Sequence, residues 1–565
     1  MVDTADTYTR QSRVAYFSME IALRSDIPTY AGGLGMLAGD TLRSAADLEL
    51  PMVAVTLVSR AGYLQQTLAD DGTQREGPDP WAPEQHASPS DAMVVVHLEG
   101  RRVWIRAWLY ELKGHQNGVI PVLLLDTDID ENGSEDRQLT HYLYGGDEAY
   151  RLKQEAILGI GGVRMLYALG FRIRQYHLNE GHAALLALEL AQRAAYSADD
   201  IGPDGAPFDL AGVRAECNFT THTPVEAGHD QFSYDLVARV LGDGPKLEEL
   251  KRFGGRDRLN MTRLALNLSD YVNGVAKKHA EVSRTMFPGY RVHAVTNGVH
   301  PYTWTAKSFS RLYNEHLPGW CHEPELLVRA DQIADEAIWQ AHVEAKQQLI
   351  DLVRQRTRVE LDPDRMTIGF ARRMTAYKRP DLLFSDLFAL RELTKQRPLQ
   401  IVLAGKAHPR DHDGKALIKR LHAHAVEFAD QIPVAFIAGY DMAAAQALVA
   451  GVDLWLNTPR PPLEASGTSG MKASFNGVPS LSVLDGWWIE GCVPGVTGWP
   501  IDSVDGSDAA AAASLYRRLR EDVLPLYYED RVRWIAVMKG AISKNASQFN
   551  SHRMLRRYVS DAYFR

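Results

Sequence analysis

The sequence predicts an α/β protein built as two domains that face a cleft. Three observations predict it. Apolar runs of strand length alternate with helical patterns in both halves, 565 residues exceed one unit of usual size, and a proline-bearing turn near residue 300 divides them. Hydrophobic residues at 45% and charged residues at 24% describe an ordinary globular chain. A net charge of −9 gives no general reason to bind nucleic acid. Cys217, Cys321 and Cys492 form no close pair, which speaks against a disulfide framework or a thiolate zinc site. The polar start lacks an uninterrupted apolar core and no later run has bilayer length, so a cytoplasmic protein without membrane contact is expected.

Taken in order, "RVAYFSME" reads as a strand and "TYAGGLGMLAGDTLRSAADLEL" as a glycine loop opening a helix. "PMVAVTLVS" resumes a buried strand, and "RVWIRAWLYEL" with "GVIPVLLLDTDI" predicts a local sheet extension. Residues 147–170 carry a long helical pattern before the strand-like "FRIRQYHLNE". "AECNFTTHTP" reads as a strand ending in a polar loop, and "VHAVTNGVHPYTW" as a strand and turn at the crossover. In the second half "MTIGFARRM", "LQIVLAG", "IPVAFIAG" and "VDLWLNTP" are short apolar strands between helices, the rhythm of a parallel sheet with covered faces. The expected division is 1–300, 301–510 and a helical tail, 511–565, packing back across both.

The chemistry concentrates in "PRPPLEASGTSGMKASFNGVPSLSVLDGWW". Gly467 and Gly470 permit close backbone passage beside Thr468, and Lys472 follows near the start of a short helix. A phosphate can sit on those amides and the Thr468 hydroxyl, or a partly desolvated Lys472 amine can serve covalent aldehyde chemistry. The lysine spacing is not that of a nucleotide P-loop. In "IGFARRMTAYKRPDLLF", Arg372, Arg373, Lys378 and Arg379 place guanidinium forks and a compact ammonium after a strand, a mixture suited to several phosphate oxygens. The amides of Gly32, Gly33 and Gly35 are a further anion seat. "HLNEGH" and "TTHTPVEAGHDQF" supply Asn179, Glu180, His182, His222 and His229, but no metal-ligand spacing, so no metal is expected.

These segments, in order from Val14 to Trp488, resemble the α-glucan phosphorylase family of glycogen, starch and maltodextrin phosphorylases. "EASGTSGMK" is similar to the family's cofactor segment, whose final lysine carries pyridoxal phosphate. The resemblance implies two Rossmann-like domains in the GT-B arrangement and retaining transfer of a non-reducing-end glucosyl unit from an α-1,4-glucan to inorganic phosphate, giving α-glucose 1-phosphate. It implies Lys472, Thr468, Arg372 and Tyr440 at the cofactor. Arg373 and Lys378 would bind substrate phosphate beside Gly32, Gly33 and Gly35, and with Lys472 would form the catalytic set. His182, His222, Asn297, Tyr377, Glu464 and Gly467 would face sugar. A homo-oligomer is compatible with it. Ala31 and Asp441 depart from the larger members, which carry asparagine and arginine there, and the likeness is to the shorter bacterial and archaeal branch. The competing readings are a retaining sugar-nucleotide glucosyltransferase, with Lys472 binding phosphate directly, and a catalytically weak glucan-binding homologue.

Overall fold

The apolar runs of both halves become sheet strands in the computed structural model, which describes residues 4–196, 208–242, 247–503 and 506–564. In the first half these are β1 (Val14–Ser18), β2 (Met52–Leu57), β3 (Gln65–Leu68), β4 (Gln74–Gly77), β5 (Ser88–Leu98), β6 (Arg101–Lys113) and β7 (Val119–Asp126). They continue with β8 (Gln175–Asn179), β9 (Cys217–Thr220), β10 (Gln231–Ser233), β11 (Arg258–Asn260), β12 (Tyr271–Gly274) and β13 (His293–Ala294). The second half adds β14 (Met366–Ala371), β15 (Leu399–Ala404), β16 (Val434–Ile437), β17 (Leu454–Asn457), β18 (Ser480–Val483) and β19 (Gly498–Ile501).

Nine strands form one mixed sheet in the order β13-β12-β9-β8-β1-β2-β7-β6-β5. It is parallel from β13 to β7, and β6 and β5 extend it antiparallel, as the long apolar segments predict. β1 is buried at every position because helices cover both faces, which is why its sequence does not alternate. The second sheet, β16-β15-β14-β17-β18-β19, is wholly parallel. The helical pattern at 147–170 forms Glu148–Ala156 and Gly162–Ala168, joined through a wider helical turn at Ile157–Gly161.

Both faces of the nine-stranded sheet carry a hydrophobic cluster, and a third surrounds the six-stranded sheet. The tail joins them. Residues from Ala511 to Phe549 complete the core of the second sheet, whereas Met554, Leu555, Tyr558 and Tyr563 fill one face of the first. The β3–β4 hairpin makes a second bridge. Gln66 donates to the Gly405 carbonyl at 3.0 Å and accepts from the Gly439 N–H at 2.9 Å, while Gln74 pairs both ways with Ala407 at 3.0 Å. No described helix is long and apolar enough to cross a membrane.

Candidate active site

In parallel sheets the chain reverses its direction of growth at one strand, and the crevice beyond the carboxyl ends there receives ligands. The first sheet reverses beside β1, the second beside β14. The residues just past those ends are Glu20 after β1, Asn179 and Glu180 at β8, Thr221 and His222 after β9, and Arg372 and Arg373 after β14. Of the residues singled out from the sequence, these strand ends carry Asn179, Glu180, His222, Arg372 and Arg373.

Lys472 lies within the short Ser469–Ser474 helix, 7% exposed, with its Nζ 3.8 Å from the centre of the Trp304 ring. Burial draws its amine down to about 8; Asp40 opposes this and Arg43 adds to it. Trp304 is held by Asp40, which accepts its indole N–H at 2.8 Å. Asn476 ties the lysine helix to the crossover, donating to the Trp304 carbonyl at 2.8 Å and accepting from Ala306 N–H at 2.7 Å. Thr468 precedes the helix without its side chain capping it. The loop before it needs its glycines: Gly467 has φ +84°, and a Cβ on Gly470 would lie 2.8 Å from the Trp487 ring.

The basic arm divides into cations that meet the Glu464 carboxylate and one that meets backbone carbonyls. Glu464, 6% exposed, accepts from Arg372 Nη2 at 2.6 Å and from Lys378 Nζ at 2.7 Å, both on Oε2. Burial pushes the Glu464 carboxyl up, but the two cations outweigh it and hold it below its ordinary range. Its backbone N–H is fixed by Asp485 at 2.8 Å, a carboxyl that burial raises to about 6. Lys378 Nζ sits 4.5 Å over the Tyr377 ring. Arg373 is exposed, and Tyr63, Glu20 and Tyr144 beside it raise its basicity against the cost of desolvation. Arg379 corrects the expectation drawn from charge alone. It donates to the carbonyls of Thr458 at 2.9 Å and Pro459 at 2.7 Å and pairs with Asp508, and so pins one loop to the next. Tyr440 is a phenol raised by burial, with Tyr30, Asp441 and Arg372 around it. Asp441 caps the Met442–Gly451 helix through the Ala444 N–H at 2.7 Å and pairs with Arg356 at 2.9 Å.

The glycine loop also differs from expectation. The amides of Ala31 and Gly32 are taken by Glu20 Oε2, at 2.6 and 3.1 Å, and Glu20 Oε1 accepts from the Tyr144 hydroxyl at 2.9 Å. Gly32 is thus occupied by an internal carboxylate, while Gly33, Leu34 and Gly35 open the Gly33–Asp47 helix as its first residues. Gly35 has no room for a side chain, since a Cβ there would lie 2.6 Å from Glu20 Oε2. Glu20 and Tyr144 were missed by sequence reasoning; a carboxylate two residues past a central parallel strand was the available signal.

Past the neighbouring strand β8, Glu180 holds the loop after β9: its carboxylate accepts from the His222 N–H at 2.7 Å and from the Thr223 hydroxyl at 2.9 Å. His222 Nε2 lies 2.6 Å from Asn179 Oδ1. His182 is brought down to about 3 by burial and lies 3.5 Å from Asp230, which Arg151 also engages. Buried polar side-chain atoms without a protein partner include Asn297 Oδ1, Thr221 Oγ1, Arg372 Nη1, Asn457 Oδ1 and Ser466 Oγ. Such atoms are costly unless a ligand or water meets them.

Against known proteins, residues 177–492 match the model of the carbohydrate phosphorylase family. The chain is 38% identical to the maltodextrin phosphorylase of Thermococcus litoralis, across 97% of this chain and 70% of that protein. It is 37% identical to the glycogen phosphorylase of Mycobacterium tuberculosis, again over 97% and 70%. An uncharacterised protein of Methanocaldococcus jannaschii is 30% identical over 97% of this chain and 99% of its own length. On its sequence match along nearly the whole length, the chain belongs to the carbohydrate phosphorylase family.

Proposed function

We propose that the chain is a pyridoxal-phosphate-dependent α-1,4-glucan phosphorylase, transferring a non-reducing-end glucosyl unit to inorganic phosphate with retention and releasing α-glucose 1-phosphate. The observation that carries this reading is Lys472, a buried amine of lowered basicity in the "EASGTSGMK" segment of a family member. We read the two sheets as Rossmann-like domains, 1–300 and 301–510, in a GT-B arrangement, with 511–565 returning over both.

The residues present fit the cofactor. A neutral amine is the form that captures an aldehyde, and an amine lowered to about 8 supplies it near neutral pH. The unpartnered Arg372 Nη1 is a buried donor suited to the cofactor's phosphate end, with Thr468 beside the lysine helix and Tyr440 among the aromatic neighbours. When bound, pyridoxal phosphate supplies a phosphate group that exchanges a proton with the substrate phosphate. Lys472 holds the group in place, and Trp304 and Asn476 keep the lysine helix against the crossover.

Arg373 and Lys378 supply the positive charge that binds substrate phosphate and stabilises the charge developing on it. Arg373 serves best as the mobile partner because it is exposed, whereas Lys378 is preset by Glu464. Gly33 and Gly35 add amides and the positive end of a 15-residue helix. Glu464 offers its second oxygen, Oε1, to a sugar hydroxyl while Oε2 holds both cations, which couples sugar seating to phosphate binding. Tyr377, Gly467, His182, His222 and Asn297 complete the sugar wall, the last with its unpartnered Oδ1.

The test is release of glucose 1-phosphate from linear maltooligosaccharides as a function of phosphate, with the intact protein and Lys472→Ala. Release that needs phosphate, together with a pyridoxal absorbance lost in the variant, is expected. Glucose released equally without phosphate would overturn the assignment, and demand for a sugar nucleotide would select the transferase reading.

A further inference from the structure

β1 and β8 are parallel neighbours whose last residues, Ser18 and Asn179, stand opposite each other, and Asn179 in turn stands opposite Thr220 at the end of β9. This register places a short polar chain across the strand ends. Ser18 Oγ donates its one hydrogen to the Glu20 carbonyl at 2.7 Å, so it can meet Asn179 only as an acceptor. The Asn179 group 3.0 Å from Ser18 Oγ is therefore the NH2. That fixes the amide: Oδ1 is the atom facing His222 Nε2 at 2.6 Å. An amide oxygen only accepts, so His222 Nε2 carries the proton. Burial lowers the ring well below its ordinary 6.5, with His279, His177 and His182 adding to it, so His222 is neutral near pH 7 and its Nδ1 is a bare acceptor. Its backbone is tied to Glu180, and among the described residues Nδ1 has no hydrogen-bond donor.

We propose that Asn179 is a positioning residue that locks His222 in its Nε2–H tautomer, so that His222 offers the cleft an acceptor-only nitrogen that selects a ligand hydroxyl. The proposal rests on the reading of the cleft as a glucosyl site and deepens it by naming what sets the specificity at one hydroxyl. Asn179 is 1% exposed and acts through His222 without touching the ligand. A ligand lacking that hydroxyl leaves Nδ1 unpaired in the closed cleft and loses about tenfold in kcat/KM. Removal of the Asn179 carbonyl frees the ring to turn and to place its proton on either nitrogen, so Nδ1 no longer meets that hydroxyl in one fixed geometry and the discrimination against the deoxy ligand weakens.

Two measurements test this. In protein labelled with 15N-histidine, the resonances that disappear in His222→Gln should report a protonated Nε2 and a bare Nδ1, and in Asn179→Ala the two shifts should move toward each other. With a panel of monodeoxy glucose 1-phosphates in the glucan-extending direction, one member should lose about tenfold in the wild type, and that loss should shrink in Asn179→Ala while the rest of the panel keeps its ranking. Asn179→Asp keeps the acceptor and adds a carboxylate that favours the imidazolium. Glu180 already lies at the His222 backbone, while His177, His182 and His279, all brought below 5, bring no charge of their own near neutrality. In this variant the 15N spectra should show Nδ1 bare at about pH 8 and protonated toward pH 6, where the wild type is flat. A proton on Nδ1 in the wild type, or a uniform loss across the panel in Asn179→Ala, would overturn the proposal. If no glucose 1-phosphate chemistry is detected at all, the glucosyl reading falls, and the histidine spectra still decide the tautomer.

Discussion

Glu464→Gln puts the coupling between sugar and phosphate to the test. In the wild type one carboxylate oxygen serves Arg372 at 2.6 Å and Lys378 at 2.7 Å, and all three side chains are at most 9% exposed. The amide removes the charge and leaves two cations facing each other across it. Breaking a buried pair costs about 3–5 kcal/mol, and because both pairs share one oxygen their losses overlap, so about 4 kcal/mol is expected in all. At about 2.1 cal/mol/K per residue, a chain of 565 residues unfolds with about 1.2 kcal/mol/K, and the melting temperature should fall by about 3 °C. The variant cleft carries one more positive charge, so inorganic phosphate should bind about tenfold more tightly there, which recovers about 1.4 kcal/mol and about 1 °C of the gap at saturation. Differential scanning calorimetry with and without phosphate measures both effects. In steady-state assays KM for phosphate should fall while kcat/KM for glucan falls too, since Oε1 is no longer a charged acceptor. Equal melting of the two proteins without phosphate, or a gap that phosphate leaves unchanged, would refute the idea that Glu464 presets the cations.

Asp453 accepts from Lys346 at 2.8 Å, His342 at 2.8 Å and the Thr367 N–H at 2.7 Å; Asp453→Asn should cost about 3–5 kcal/mol in urea unfolding. Its carboxyl is held at about 2, chiefly by Lys346 and His342 against burial, so the wild-type advantage is complete above about pH 4 and fades as pH falls through 2. Reconstitution of cofactor-free protein with pyridoxal phosphate should accelerate with pH to a midpoint near 8, the value to which burial draws Lys472, and Lys472→Arg should fail to retain the cofactor through gel filtration. Tyr563→Phe strips the partner from buried His177 Nδ1, 2.6 Å away, and should destabilise the protein by about 1–3 kcal/mol in urea unfolding while leaving KM for phosphate unchanged.

The strands were legible because a parallel strand covered on both faces needs uninterrupted apolar residues, and "VAYF", "MVAVTL", "TIGFA" and "LWL" supply them. The antiparallel extension was legible for a different reason: β6 and β7 are too close in sequence for a helical crossover. Lys472 drew notice through the glycines of its loop, and the structure buries it. What escaped was set by long-range contact. Glu20 reads as one acidic residue after a strand, and its task depends on Tyr144, more than a hundred positions away, and on Arg373. Arg379 and Lys378 are adjacent and both basic, yet one is spent on carbonyls and the other on the Glu464 carboxylate; only the chain path separates them. Asp441 looked like a lost basic contact, and the helix cap and Arg356 give it local work.

The returning tail has a consequence for how the protein is made. Tyr558 contacts Thr220 at 3.2 Å and Asn273 at 3.0 Å, and Tyr563 reaches His177, all on strands of the first sheet. A ribosome working at about 5–20 residues per second makes those strands about 15–75 s before it makes the tyrosines that seal them. Through that interval His177, Thr220 and Asn273 lack their final partners, and the apolar face later filled by Met554 and Leu555 stays open. The nascent first half is then the aggregation-prone species, and synthesis of the segment from Met554 to Tyr563 converts it to a closed one.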